Sequence, residues 1–391
     1  MSFVIATTEL VQGAATKLAA IGASLADASA AVSGPTTAIA AAAQDEVSVA
    51  IASLFANFGR EFQTLNGQAQ AFHSQFVNLL NSSAGAYLSA EAANAQAVDI
   101  VNTTAANAQQ SLAAIPASLR TLAGGASTGL SQLVTNPAAF VGNLQNAAQS
   151  VFLVGAPPDV AWAVVQRTLG GVTQATNGSV DPPEVVPIND FHAQLYYGLA
   201  GLGDFQTGSP VESAFVTGLT NLASSPASGV LLGALGPFVS PGVALWNSAG
   251  SVFADLTNGN VTGAFGHLID TPVNVVDAFF NGATLNLDAL APTFDPFVTA
   301  GSDGGERLDG LSFAFGGLFS PGQVVTGANG PLYYGTGGSI LNALGLDLSF
   351  YPPDDFAGGS LSAPGIPVGP IGATAGLLSI LGHALGGSLL S

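Results

Sequence analysis

The chain contains no cysteine, which excludes disulfides, thiolate zinc sites and a cysteine nucleophile. Positive charge is almost as scarce: 5 Lys and Arg stand against 24 Asp and Glu, a formal net charge of −19. So few cations cannot neutralise a run of phosphates, and nucleic-acid binding is excluded on that ground. Anionic lipid headgroups are disfavoured for the same reason. Charged residues make up only 7% of the chain, too few for a disordered acidic protein and unusually few for a cytosolic enzyme. The missing cysteine suits an exported protein. Met1–Ala6, however, has neither the basic n-region nor the apolar h-region of a Sec or Tat signal. Long apolar runs are also interrupted: residues 228–246 hold Pro237 and Pro241, and residues 374–390 hold His383 and several glycines. Both fall short of the roughly 20 strongly apolar residues of a bilayer span, and both are expected to be buried or to lie on a surface.

What the sequence has in plenty is helix. From Asp45 to Glu91 no proline occurs, and large apolar residues recur at Val47, Ile51, Leu54, Phe58, Phe62, Leu65, Phe72, Phe76 and Leu79. With Ala69 as a small member, the spacings alternate between three and four, one stripe along a helix of roughly 60 Å. Asp45 and Glu46 place carboxylates in the first turn, where the helix dipole favours them. An earlier helix starts at Thr7 or Thr8, carries the stripe Leu10, Ala14, Leu18, Ile21, Leu25, Ala28 and Val32, and is expected to stop at Gly34-Pro35. Joined through Thr36 to Gln44, the two form an antiparallel αα-hairpin. The aromatic residues of the second helix exceed what one alanine-rich neighbour covers. Leu54, Phe55, Phe58, Phe62, Phe72 and Phe76 are therefore candidate partner-binding residues. Either the rest of the chain folds back over them, or a second protein supplies the other half of a four-helix bundle.

Met1–Ala6, Pro35-Thr36-Thr37, Asp45–Ser48, Phe72-His73-Ser74-Gln75-Phe76 and Tyr87–Glu91 together resemble the mycobacterial PE family, over residues 1–95. One departure is Thr8-Glu9, where the family's Pro-Glu pair is expected; proline in a first helical turn is readily replaced. The resemblance implies an exported hairpin that pairs with a PPE-family protein and leaves through a type VII (ESX) secretion system. It also implies a Tyr-x-x-x-Asp/Glu secretion signal, which Tyr87 and Glu91 match. Four residues apart, the two project from one side of a continuing helix.

Beyond the hairpin, residues 96–150 are rich in Ala, Asn, Gln, Ser and Thr, are divided by Gly124-Gly125 and Asn136-Pro137, and read as a helical connector. Residues 151–350 read as a mainly helical domain. Its candidates include 160–169, 189–202, 210–223, 243–256, 261–269 and 272–280, the last entered at Asp270-Thr271-Pro272. Short strands are expected at Leu311–Phe315 and Pro331–Tyr334. Residues 351–391 form a Pro/Gly-rich tail with an apolar terminal segment. The fold class is thus mainly α: a long N-terminal hairpin, half of a four-helix bundle, plus a larger mostly helical domain with a few short strands. Pro237–Asp255, Pro272–Leu290 and Leu311–Gly322 also resemble actinobacterial secreted proteins described as GjpA-type outer-membrane porins, over residues 150 to 350.

Chemistry is sparse. Gly125-Ala126-Ser127-Thr128-Gly129 fits a nucleophile elbow, but Leu119–Gly124 is not the buried strand that must precede one. The histidines at 73, 192, 267 and 383 have no second ligand at helical spacing. Asp303, Glu306, Asp354 and Asp355 are loop carboxylates without the density of a calcium loop. No catalytic residue, metal or cofactor is expected. The reading is a non-enzymatic secreted or cell-envelope protein paired with a PPE protein, associated with the outer mycomembrane. An outer-membrane porin or small-molecule transport component is the alternative, and a secreted esterase ranks last.

Overall fold

The computed structural model describes residues 7–168, 172–177, 184–189, 191–201, 210–298, 306–326, 333–336, 338–350 and 359–390. In chain order it runs α1 (Thr8–Thr37), α2 (Glu46–Thr135), α3 (Pro137–Phe152), α4 (Pro158–Thr168), β1 (Val172–Asn177), β2 (Glu184–Asn189), α5 (Phe191–Gly201) and α6 (Pro210–Ser224). There follow α7 (Pro226–Thr257), α8 (Val261–Asn281), β3 (Ala283–Asn286), α9 (Ala291–Val298), β4 (Glu306–Phe315), β5 (Gln323–Thr326), β6 (Tyr333–Thr336), β7 (Leu344–Phe350), β8 (Gly359–Ala363) and α10 (Pro370–Gly386). The chain is mainly α. It divides into two compact units, Met1–Ala95 with Asn260–Ile269, and Gln96–Gly259 with Asp270–Ser391.

In the first unit α1 and α2 pair antiparallel. Asp45 starts α2: its carboxylate accepts from the Ser48 backbone N–H at 2.9 Å and the Ser48 hydroxyl at 2.8 Å. These bonds favour the ionised form and hold the Asp45 pKa below its ordinary value. At the other end of the turn, α1 passes Gly34-Pro35 and stops only after Thr37. A proline in a last turn forfeits one backbone bond, and here the Thr36 and Thr37 hydroxyls donate to the carbonyls of Val32 and Ser33, each at 2.7 Å.

The second unit begins inside α2, which continues through Gly124-Gly125 to Thr135, so residues 96–135 are one helix rather than a divided connector. The break comes at Asn136, whose side chain accepts from the Ala139 N–H with Pro137 behind it as the first helical residue. The amide-rich sequence of this stretch is used in packing. Gln96 donates to Asn274 at 2.6 Å, Asn107 to Asn281 at 2.9 Å, and Ser111 to the Phe319 carbonyl at 2.8 Å. α8 runs unbroken through Pro272, so Asp270-Thr271-Pro272 lies mid-helix and is not a helix start. α7 likewise incorporates both Pro237 and Pro241, against the expectation of an interrupted run.

Glycine makes that packing close. On α7, added Cβ atoms at Gly229, Gly233 and Gly236 would collide with backbone at Gly338, Gly369 and Gly316. One core gathers Leu153 just past α3, Val160, Val164 and Val165 of α4, Tyr196 of α5, Leu341 in the turn before β7 and Ile380 of α10. Trp162 stacks on Tyr196, whose hydroxyl donates to Asn221 at 2.7 Å. A second core, Leu308, Leu311, Leu346 and Leu348 with Ala291, lies under an antiparallel sheet of order β2-β1-β8-β7-β4-β3. β4 carries a bulge between Leu308 and Gly310, and β5 pairs with β6 in a separate two-stranded sheet. Of the strand expected at Pro331–Tyr334, Tyr333 and Tyr334 lie in β6, while Pro331 and Leu332 fall outside the described residues.

Candidate interaction surface

The seam between α1 and α2 is made mostly of small and polar side chains, with Val11, Leu18, Val77 and Leu80 among them. On α2 the buried and half-buried positions are Ala52, Ala56, Gly59, Gln63, Asn66, Gln70, His73, Val77, Leu80 and Ala84; on α1 they include Val11, Ala15, Leu18, Gly22, Ala26, Ser29 and Ser33. Both series step by three and four, the spacing of a packed helix face. Ser29 donates to Gln63 at 3.0 Å, Asn66 donates to Ser29, and the His73 ring nitrogen Nε2 meets the Leu18 carbonyl at 2.7 Å. At Gly59 an added Cβ would overlap the Thr36 carbonyl, and at Gly22 it would sit 2.7 Å from the His73 ring. At Gly59 the helices therefore meet backbone to backbone, and at Gly22 the α1 backbone meets the His73 ring.

The large apolar stripes are not in this seam. Ile51, Phe55, Phe58, Phe62, Leu65, Phe72, Phe76 and Leu79 each stand one residue before a seam position, as do Leu10, Ile21, Leu25 and Val32 on α1, and all are exposed. One residue is about 100° of rotation. In an antiparallel pair a step toward the N-terminus turns both helices to the same side of the seam, so the two stripes form one apolar face. Leu54, Phe55, Phe58, Phe62, Phe72 and Phe76 lie on it or at its margin, 44–71% exposed. One residue after the seam the side chains are polar or small: Ser53, Asn57, Arg60, Thr64, Gly67, Ser74 and Asn78. The seam thus runs one residue away from the apolar stripe, along the positions where glycine and alanine allow close contact.

Tyr87 and Glu91 lie inside unbroken helix and are both exposed, Tyr87 at 69%. The first turns of α8 approach α2 at Gly85 and Ser89, through Thr262 and Gly266. Tyr87 is two residues from either contact, about 200° around the helix, and Glu91 projects beside it. Ring and carboxylate are presented together on one side of a continuous helix.

In the second unit, α7 has a further apolar surface. Leu231, Leu235, Phe238, Leu245, Trp246 and Phe253 are exposed on the side away from its glycine face, and Asp255 is the helix's only formal charge. Pro226–Thr257 is long and apolar enough to cross a membrane by length and composition, and half of its most apolar window is buried in the protein.

The remaining candidates resolve individually. Ser127 is an exposed residue of α2, with Gly125 abutting the Gly382 backbone of α10, so the Gly-x-Ser-x-Gly run is a helix crossing and has no elbow geometry. His73 belongs to the hairpin seam. His192 is buried, with Nε2 at 2.8 Å from the Leu344 carbonyl, and burial lowers its pKa. His383 meets the Ser388 hydroxyl at 3.0 Å; its pKa is lowered by burial and then by the charge of Arg167. No three metal-ligating side chains gather among the described residues. Asp303, Asp354 and Asp355 fall outside the described residues, and Glu306 opens β4.

Comparison with known proteins bears on the hairpin. The model of the PE family matches residues 4–94. The chain is similar to the esterase PE16 of Mycobacterium tuberculosis, 54% identical over 105 residues, covering 27% of this chain and 20% of that protein. It is 56% identical over 93 residues to the PE-PGRS family protein PE_PGRS3 of the same species, covering 24% and 10%. The PE family protein PE23 of Mycobacterium bovis is 40% identical over 178 residues, covering 44% and 46%. The chain thus spans less than half the length of each of these relatives, and none of the three is described as a porin. No solved structure matches the chain. Residues 4–94 are a PE family domain, and the similar proteins are mycobacterial PE and PE-PGRS proteins.

Proposed function

We propose that the chain is a secreted or cell-envelope PE protein without enzymatic activity. In this reading its hairpin docks a PPE-family protein through the apolar face, and Tyr87 with Glu91 serves as its type VII (ESX) secretion signal. The observation that carries the pairing is the one-residue offset between seam and stripe. The hairpin closes largely on alanine, glycine, serine, amides and His73, with few large apolar residues, and leaves two rows of Phe, Leu, Ile and Val for a second helical pair. Interface aromatics of this kind commonly dominate binding energy. Co-expression with mycobacterial PPE proteins tests it. A soluble 1:1 complex that is lost when Phe58, Phe62 and Phe72 are changed to serine supports the pairing. A complex that survives the triple substitution contradicts it.

Association with the outer mycomembrane is the second reading, supported by the apolar outer side of α7. A helix apolar all round is ordinarily covered all round. With 5 cations in the chain, the attraction would be to hydrocarbon rather than to anionic headgroups. Release from envelope fractions by detergent and not by high salt supports this reading, and release by salt alone contradicts it.

A further inference from the structure

The outer side of α7 has an internal order that contact with hydrocarbon does not require. Gly229, Gly233 and Gly236 are accounted for by the backbone pressed against them, but Gly242 is exposed, and an added Cβ there meets nothing within 4 Å. Glycine inside a helix is destabilising relative to alanine, and at Gly242 no close approach within the chain offsets that. The apolar residues are arranged about this glycine in nearly matching pairs. Val239 and Leu245 stand three residues from it, Phe238 and Trp246 four, Leu235 and Ala249 seven, and Leu231 and Phe253 eleven. All eight are exposed. At about 100° per residue, each of these offsets falls within about 60° of Gly242, so the residues make one face.

A face that reads alike in both directions from its centre is complementary to itself when turned end over end, as a twofold interface requires. In an antiparallel pair of α7 helices crossing at Gly242, residues equidistant from the centre come to one level. Phe238 of one copy then lies beside Trp246 of the other, Val239 beside Leu245, and Leu231 beside Phe253, in layers spanning roughly 33 Å. The two glycines meet at the centre and let the backbones approach. Charge selects the same direction. Asp255 is the only formal charge of α7; antiparallel pairing sets its two copies roughly 39 Å apart along the axis, whereas parallel pairing sets them side by side. We propose that the outer side of α7 is a homodimer interface, through which two copies of this chain pair antiparallel with Gly242 on the twofold axis. The pairing rests on neither the PPE nor the envelope reading. A second copy and hydrocarbon compete for this face, and in protein free of the envelope the second copy occupies it.

The chain has no cysteine of its own, so single thiols test the geometry. In the full chain, mildly oxidised in detergent-free buffer, Gly242→Cys should yield a disulfide-linked dimer of twice the mass, because the twofold axis brings position 242 against its own copy. Leu231→Cys lies on the same exposed face but roughly 33 Å from its own counterpart, and should keep its thiol free. Neither change disturbs packing within the chain, since position 242 has open space and Leu231 is exposed. A thiol at position 242 that stays free overturns the proposal; that is the result expected if hydrocarbon alone covers the face or if copies associate through the hairpin instead. Linkage of Leu231→Cys as fast as that of Gly242→Cys overturns it too, because parallel pairing or random collision would link both alike.

Discussion

At Gly59 and Gly67 the same residue does opposite work on one helix. Gly59 faces the Thr36 carbonyl, and any side chain there must push the hairpin apart. Gly67 has nothing within 4 Å of an added Cβ. Gly59→Leu should therefore cost about 2 kcal/mol or more by overpacking, whereas Gly67→Ala should stabilise by about 0.5–1 kcal/mol through helix propensity alone. Thermal unfolding followed by circular dichroism separates them. Asp45 has a pH signature as well. Its folded pKa is lowered from 3.8 by the bonds from Ser48, so its contribution is complete above that value and is lost as pH falls through the lower folded value. Asp45→Ala should reduce stability at pH 7 and make no difference at a pH below both values; equal destabilisation at both would contradict the cap. Tyr87→Ala acts on neither fold nor packing, since the ring is exposed. It should abolish export while leaving helicity unchanged, and normal secretion of this variant would remove the signal from Tyr87.

Elements show what the sequence could and could not reveal. Both hairpin helices and the start of α2 were legible, because three-and-four spacing and an acidic first turn are local properties. Which row of α2 faces α1 was not. Hydrophobicity marked Phe58, Phe62 and Phe72 as candidates for a partner, but it could not mark Gly59, Gln63 and His73, which meet α1 through close backbone approach and side-chain hydrogen bonds. The same blindness affected α7 and α8, where Pro237, Pro241 and Pro272 looked like boundaries. Tertiary packing on the glycine face of α7 and the amide contacts of α8 to α2 outweigh the one backbone bond that each proline forfeits. The amide-rich stretch after residue 96 looked like a linker because side-chain bonds between distant residues leave no periodic trace. On α7, Phe238→Ser with Trp246→Ser should leave the melting temperature within a few degrees of the unaltered protein, both residues being exposed. The pair should also move the protein from the detergent-extracted to the salt-extracted fraction. Unchanged fractionation would detach the outer side of α7 from any envelope contact.

For the molecule as a whole, a net charge of −19 with only 5 Lys and Arg leaves apolar area as the main means of association. The central claim is that one side of the hairpin meets a PPE protein while the other stays in water. The cysteine-free chain makes this measurable with a single thiol. Phe62→Cys places it on the apolar face, and Thr64→Cys places it on the polar one. Maleimide labelling of each variant, alone and after co-expression with a candidate PPE protein, is the direct test. Position 62 should label readily alone and be protected in the complex, with position 64 labelled equally in both. Labelling at position 62 that the partner does not slow would contradict the account.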